Sequence, residues 1–224
     1  MRISRLDNPR QLQRLFAFRH HIYVEELAWL PRPDGHRDNA RRVRRAASLL
    51  VDEFDTVACN YAAFDDDGSV VGSVRVVPDT PLGLPLERCS SLGNYRQGRQ
   101  LVEVCRLAVD PKWRSLNLAG LLMKAAYQCA KSMGASHIVL DTYIDRRRRT
   151  YRLYSRMGFE ALGEPHPDPN YLWRLPVLAL GLDIVAAERD WPTARPGLFR
   201  FFTTSDPGID HGAAQVAQPT GGIA

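Results

Sequence analysis

Between Glu103 and Gly120 an apolar run, Glu-Val-Cys-Arg-Leu-Ala-Val, breaks at Asp110-Pro111, crosses a short polar turn carrying Arg114, and re-enters regular structure through Ala119 and Gly120. The pattern is a strand feeding a helix through a tight turn. The first turn of such a helix leaves backbone N–H groups without intrahelical partners, and an N-terminus of this kind binds phosphate or pyrophosphate. Leu118, Leu121, Leu122, Ala125, Cys129 and Met133 then recur at helical spacing, giving one core-facing stripe over Leu118–Met133 that Gly134 ends.

The rest of the chain supplies what this unit packs against. Leu12, Leu15, Phe16, Ile22, Tyr23 and Leu27 predict an amphipathic helix over Gln11–Leu27, with Arg19 one turn before Tyr23. Pro31 and Pro33 stop it, and Pro31–Arg45 reads as a charged loop, with helix possible again over Ala40–Leu50. Val57–Phe64 and Val70–Val77 read as strands joined by the turn Asp66-Asp67-Gly68. After a loop over Pro78–Leu86 come a strand Leu101–Val109, a buried strand His137–Thr142, a helix Arg147–Met157 and a strand Phe159–Leu162. This order implies an α/β (α+β) fold, a mixed, mostly antiparallel sheet flanked by helices in a single domain. The domain is expected over residues 1–182, followed by a C-terminal extension over 183–204 and a disordered tail over 205–224, where Gly, Ala, Pro and Gln dominate.

With 224 residues, 45% of them hydrophobic, the chain can bury one sizeable core. Its net charge of +5 comes mainly from arginine, with runs at Arg41–Arg45 and Arg146–Arg149. These runs are either a solvated surface or a dock for an acidic partner. No helix-turn-helix, zinc finger or RNA-stacking motif accompanies them, so nucleic acid is not expected, whereas an acidic carrier protein fits. Cys59, Cys89, Cys105 and Cys129 are scattered among apolar residues and read as core thiols of a reducing cytoplasm. Neither they nor His20, His21 and His36 show metal-ligand spacing, so no metal is expected. No signal-peptide core or membrane-spanning run is present, and a soluble, cytoplasmic protein is expected.

The loop Arg114-x-x-Asn117-x-Ala119 and the later Tyr154-x-x-x-Gly158-Phe159 resemble the GNAT superfamily of N-acyltransferases, in which the loop reads Arg/Gln-x-x-Gly-x-Gly/Ala. Asn117 replaces the first glycine, and asparagine tolerates the left-handed backbone region better than most residues. The chain also resembles, from about Leu12 to Val177, the acyl-homoserine-lactone (autoinducer) synthases and the related long-chain N-acyl amino acid synthases. The resemblance rests on eight dispersed positions in order: Arg19, Tyr23, Trp29, Asp52, Asp55, Arg75, Glu103 and Arg106. The gap between Trp29 and Asp52 is longer than in autoinducer synthases, and Pro85-Leu86-Glu87 is closer to the N-acyl amino acid synthases.

This resemblance implies a GNAT-like fold and an N-acyltransferase with no tightly bound cofactor. Its co-substrate would be an acyl-phosphopantetheine thioester, on acyl carrier protein or on CoA. Val109, Arg114, Asn117, Ala119 and Gly120 would hold the phosphopantetheine arm. Glu103, Arg106 and Tyr154 would form the catalytic group, and Arg19, Tyr23, Trp29, Asp52, Asp55 and Arg75 would surround the small-molecule amine acceptor. The chemistry requires a base to take a proton from the amine, stabilisation of a tetrahedral oxyanion, and a proton for the leaving thiolate.

Glu103, a carboxylate among apolar neighbours, suits the base; its alternative is an ion pair with Arg106, and acting together with Arg106 requires a bulge because strand residues three apart face opposite sides. Asp52 and Asp55 either hold the acceptor's ammonium or lock Arg19 and Arg75 in place. Trp29 either walls the acceptor pocket or fills core. Tyr154 either protonates the thiolate or packs on its helix, while Cys105 is expected to pack. The leading expectation is transfer of a fatty acyl chain to the α-amino group of an amino acid, through a tunnel involving Val104, Leu140 and Leu153. The alternatives are an autoinducer synthase acylating S-adenosylmethionine, an acetyl-CoA-dependent acetyltransferase, and a non-catalytic thioester-binding module.

Overall fold

A computed structural model describes residues 1–30, 48–114, 117–144, 149–167 and 176–212. The arginine run Arg41–Arg45, the expected loop over Pro31–Arg45 and residues 146–148 of the second run lie outside the described residues.

A nine-stranded sheet organises the chain, in the order β6-β8-β5-β4-β3-β2-β1-β9, with β7 pairing on β8. Its strands are β1 (Arg2–Leu6), β2 (Cys59–Phe64), β3 (Val70–Pro78), β4 (Leu101–Val109), β5 (His137–Tyr143), β6 (Glu160–Ala161), β7 (His166–Pro167), β8 (Pro176–Asp183) and β9 (Ile209–Asp210). All pairs are antiparallel except β4 with β5 and β1 with β9. The helices are α1 (Pro9–His20), α2 (Leu118–Ser132), α3 (Arg149–Arg156), α4 (Ile184–Ala194) and α5 (Pro196–Thr203).

Helix α1 starts where Asn8 accepts from the Arg10 N–H and Pro9 takes the first turn, and it passes into a π-helical turn over His21–Glu26. The expected strand over Val57–Phe64 begins only at Cys59, because Asp52 and Asp55 form a capping box that winds Glu53–Thr56 into a 3-10 helix. No helix among the described residues is long and apolar enough to cross a membrane.

The two sheet faces bury different cores. Val102, Val104, Ile138, Leu140, Leu178 and Leu180 join Leu118, Leu122, Met123 and Ala126 of α2 in the larger one. On the other face, Leu101, Val139 and Ala179 pack under Leu84, Leu86 and Leu92, while Leu15 and Phe18 of α1 and Ile22 of the π-helical turn cover β2 and β4.

The C-terminal expectations are corrected. Trp191 of α4 and Phe202 of α5 are 7% and 1% exposed within the larger core, so residues 184–203 are part of the domain. The tail expected from residue 205 is corrected in its first part, because Ile209–Asp210 form β9 on β1; residues 213–224 of it lie outside the described residues. The aromatic side chains drive this, since burying a Trp or Phe contributes about 2–3 kcal/mol.

Candidate active site

Strands β4 and β5 pair only from Leu101 to Glu103 against His137 to Val139, although both run on, to Val109 and Tyr143. Beyond Glu103 they part, and a cavity of about 370 Å³ opens there. Tyr23, Trp29, Asp52, Arg75, Glu103, Arg106 and Tyr154 all border it.

Glu103 and Arg106 reach the cavity together because β4 carries one extra residue. Ser73 pairs with Ala108 and Arg75 with Cys105, so two steps on β3 oppose three on β4. Arg106 absorbs the surplus at φ 55, and its carbonyl accepts from the Ser73 hydroxyl at 2.8 Å. Glu103 and Arg106 do not form an ion pair with each other. Glu103 is 1% exposed and its Oε2 accepts from the Leu86 N–H at 2.7 Å. Burial, reinforced by Asp141, pushes its carboxyl up to about 8 despite that bond and the Arg75 charge.

Arg106 donates to Asp52 Oδ2 at 3.0 Å, with its guanidinium over the Tyr23 ring. Arg75 donates to Asp52 Oδ1 at 2.6 Å and reaches Asp55 Oδ2 at 3.1 Å. Arg19, fully buried, donates to Asp55 Oδ1 at 2.8 Å and to Asn60 Oδ1 at 2.6 Å. Burial alone would raise the Asp52 carboxyl, but Arg75 and Arg106 outweigh it and hold it at about 2. Of the two readings of the aspartates, the geometry is that of an arginine lock. Asp52 and Arg75 border the cavity, and Arg19 and Asp55 stand behind them.

Trp29 packs on Tyr143 at 4.9 Å and on Tyr23 at 6.0 Å between ring centroids, and forms one wall. Tyr154 enters from the α2 side of the sheet through the gap between β4 and β5, and burial holds its phenol well above the usual tyrosine range. The Cys105 thiol is pushed up to about 12 by burial, which leaves it un-ionised and without nucleophilic character at neutral pH.

The turn into α2 behaves as asparagine allows. Asn117 sits at φ 57, ψ 16, with its side chain folded over Gly120, where a Cβ would come within 2.6 Å of its Oδ1. Arg114 donates to the Val109 carbonyl at 3.0 Å and grips Glu26 through two bonds of 2.7 and 2.9 Å. Val109, Arg114, Asn117, Ala119 and Gly120 adjoin the far end of β4 and do not line the cavity itself. Of the expected tunnel residues Val104 lines it, while Leu140 and Leu153 pack in the larger core.

Sequence reasoning missed Phe54, Leu86, Arg88, Asp141 and Thr150, which also line the cavity. Arg88 stacks over Phe54 and pairs with Glu53, and Thr150 lies one helical turn before Tyr154. For Asp141 a signal existed, an isolated carboxylate inside the buried strand His137–Thr142.

A family model described as the N-acyl amino acid synthase FeeM matches residues 14–183. Among solved structures, FeeM, an N-acyl amino acid synthase from uncultured soil microbes, aligns with a TM-score of 0.60 at 18% identity, over 84% of this chain and 92% of that one. The CoA-dependent acyl-homoserine lactone synthase BjaI, with SAM and isopentyl-CoA, aligns at 0.64 and 21% identity over 96% and 95%. MesI, another CoA-dependent acyl-homoserine lactone synthase, aligns at 0.62 and 22% identity over 94% and 100%. A GNAT-family acetyltransferase from Staphylococcus aureus shares the fold at 0.50 and 16% identity, over 81% of this chain and 99% of that one. With three quarters of its length matched by the family model, the chain belongs to the FeeM N-acyl amino acid synthase family and is an acyltransferase of GNAT fold.

Proposed function

We propose that this acyltransferase moves a fatty acyl chain from a phosphopantetheine thioester, on acyl carrier protein or on coenzyme A, to the α-amino group of an amino acid in the cytoplasm. The observation that carries the reading is a buried Glu103 carboxyl, titrating near 8, that shares the gap between β4 and β5 with Arg106 and Tyr154. Such a group is a competent general base close to neutral pH.

The ammonium of the acceptor gives one proton to Glu103. The freed amine attacks the thioester carbonyl, forming the C–N bond, and the C–S bond breaks as the tetrahedral intermediate collapses. Tyr154 protonates the departing thiolate, and its phenolate then takes the second proton from nitrogen. The products are an amide and a thiol, and the proton on Glu103 returns to water. The arm of the donor lies along β4 towards Arg114, Asn117, Ala119 and Gly120, where the α2 N-terminus faces its phosphate.

Product mass spectrometry on purified protein with acyl carrier protein thioesters, acyl-CoAs, amino acids and S-adenosylmethionine tests this, with Glu103→Gln as control. An N-acyl amino acid that disappears in the control is expected. An acyl-homoserine lactone instead would transfer the protein to the lactone-forming reaction, and no thiol release would refute acyl transfer.

A further inference from the structure

An α-amino acid brings a carboxylate as well as an ammonium into the cavity, and desolvating that carboxylate requires a cation to meet it. Among the described residues, Arg75, Arg88 and Arg106 are the arginines that border the cavity. Arg75 is 1% exposed and commits its guanidinium to Asp52, Asp55 and the Cys105 sulfur. Arg106 is held on Asp52 at 3.0 Å with its guanidinium over the Tyr23 ring. Both belong to the lock that fixes Asp52, and turning either to a ligand would dismantle it.

Arg88 is placed differently. It ends a 3-10 turn over Pro85–Arg88 whose backbone is fixed on several sides. Leu86, 1% exposed, packs with Leu101 and Val139 of the sheet, and Glu87 accepts from the Leu84 N–H at 2.9 Å and from Arg96 at 2.9 and 3.0 Å. The Leu86 N–H of the same turn donates to Glu103, so one rigid turn carries both the base's hydrogen bond and the arginine. The head of Arg88, by contrast, lies at the rim of the cavity. Its side chain is 53% exposed, its guanidinium stacks 4.8 Å from the centroid of the Phe54 ring, and Nη2 pairs with Glu53, itself 50% exposed. Stacking leaves the edge of the guanidinium, with its fork of N–H donors, open to a planar carboxylate. An ion pair so exposed to water is weak, so Glu53 gives way to a better-placed carboxylate at little cost.

From this placement we infer that Arg88 binds the α-carboxylate of the acceptor, exchanging Glu53 for the substrate while the amine faces Glu103, an inference that rests on the acceptor being an amino acid. The lining of the cavity agrees with it. Glu103 and Asp141 border the space from β4 and β5, and Arg88 borders it from the loop side, so an entering zwitterion meets acids on the strands and a guanidinium on the loop. Amine and carboxylate sit on one carbon, so holding the carboxylate at the rim also fixes how far the amine reaches towards Glu103. Arg88 thereby selects α-amino acids over simple amines, which offer it nothing to bind.

Arg88→Met keeps an apolar stem over Phe54 and removes the charge. It is expected to raise the KM for the amino acid about ten- to hundredfold, the cost of one charge-assisted contact, with the KM for the matching amino acid amide within about twofold. Arg88→Lys, which keeps the charge without the fork, is expected to fall between the two. Glu53→Gln removes the competing carboxylate and is expected to lower the same KM about two- to fivefold, whereas a merely structural Glu53–Arg88 pair would make both changes harmful. Binding is read without turnover by thermal shift, with the proteinogenic amino acids set against their C-terminal amides, which keep the ammonium and lack the carboxylate. Wild type is expected to respond to an acid more than to its amide, and Arg88→Met to both alike. Equal responses to acid and amide in wild type, a response to neither, or a preference for the acid that survives in Arg88→Met would overturn the inference. A carboxylate-dependent shift without any N-acyl product would uphold Arg88 as the carboxylate site while refuting amino acid acylation.

Discussion

Replacing Glu103 with glutamine tests the base through stability as well as activity. The folded carboxyl titrates at about 8 against an ordinary value of 4.5. Between those values the folded state holds a proton that the unfolded state has released, so stability falls as pH rises through the window and levels off above it. At about 1.4 kcal/mol per pH unit, the loss between pH 5 and pH 8 comes to about 3.5 kcal/mol once the curvature near each end is included. Glutamine has no charge to desolvate and still offers an oxygen to the Leu86 N–H. The variant therefore escapes the loss. For a chain of this size each kcal/mol moves the melting midpoint by about 2–4 °C, so the variant is expected to gain about 10 °C on wild type between pH 5 and pH 8. Acyl transfer is expected to fall by about 10²–10⁴, the usual worth of a general base. Differential scanning calorimetry at both pH values measures the first effect, and thiol release measures the second. Parallel melting curves across the window would refute the burial argument; a stabilised variant that kept its activity would separate the raised carboxyl from catalysis.

In wild type, kcat/KM for the acceptor is expected to climb tenfold per pH unit below about pH 8 and then flatten, since the Glu103 carboxyl must lose its proton before it can accept one; a flat profile from pH 6 would contradict it. Asp55→Asn strands Arg19 and Arg75 without their shared carboxylate, and urea titration is expected to show a loss of about 3–5 kcal/mol. Arg19→Lys is not expected to recover it, because the guanidinium serves Asp55 and Asn60 from separate nitrogens. Gly158→Ala is expected to be much more damaging than Gly68→Ala. Both stand at positive φ, 92° and 75°, but a Cβ at Gly158 would come within 2.5 Å of Trp191 while Gly68 has open space. The Gly68 variant is expected to cost about 1 kcal/mol of backbone strain in the same titration, and equal losses would deny the Gly158–Trp191 contact its importance.

The elements most legible in the sequence were those whose signal is local. Leu101–Val109 was read to the residue because an apolar run ends at Asp110-Pro111, and the helix expected over Leu118–Met133 ends one residue earlier, at Ser132, because its stripe and Gly134 delimit it. Strand β1, Arg-Ile-Ser-Arg-Leu, carries too little apolar alternation to register, and it exists because β2 pairs on one side and β9 on the other. Strand β8 is an apolar run without period, which strand and buried helix share.

The site divides along the same line. Glu103, Arg106 and Tyr154 were recognisable from motif order, and the requirement for a bulge followed from strand geometry alone. Its position did not, since nothing about Arg106 marks it for φ 55; Ser73 and Asp52, distant in sequence, hold it there. The aspartates were ambiguous for a related reason. An aspartate's partner depends on how many donors converge on its oxygens, and here Arg19, Arg75 and Arg106 arrive from three separate elements.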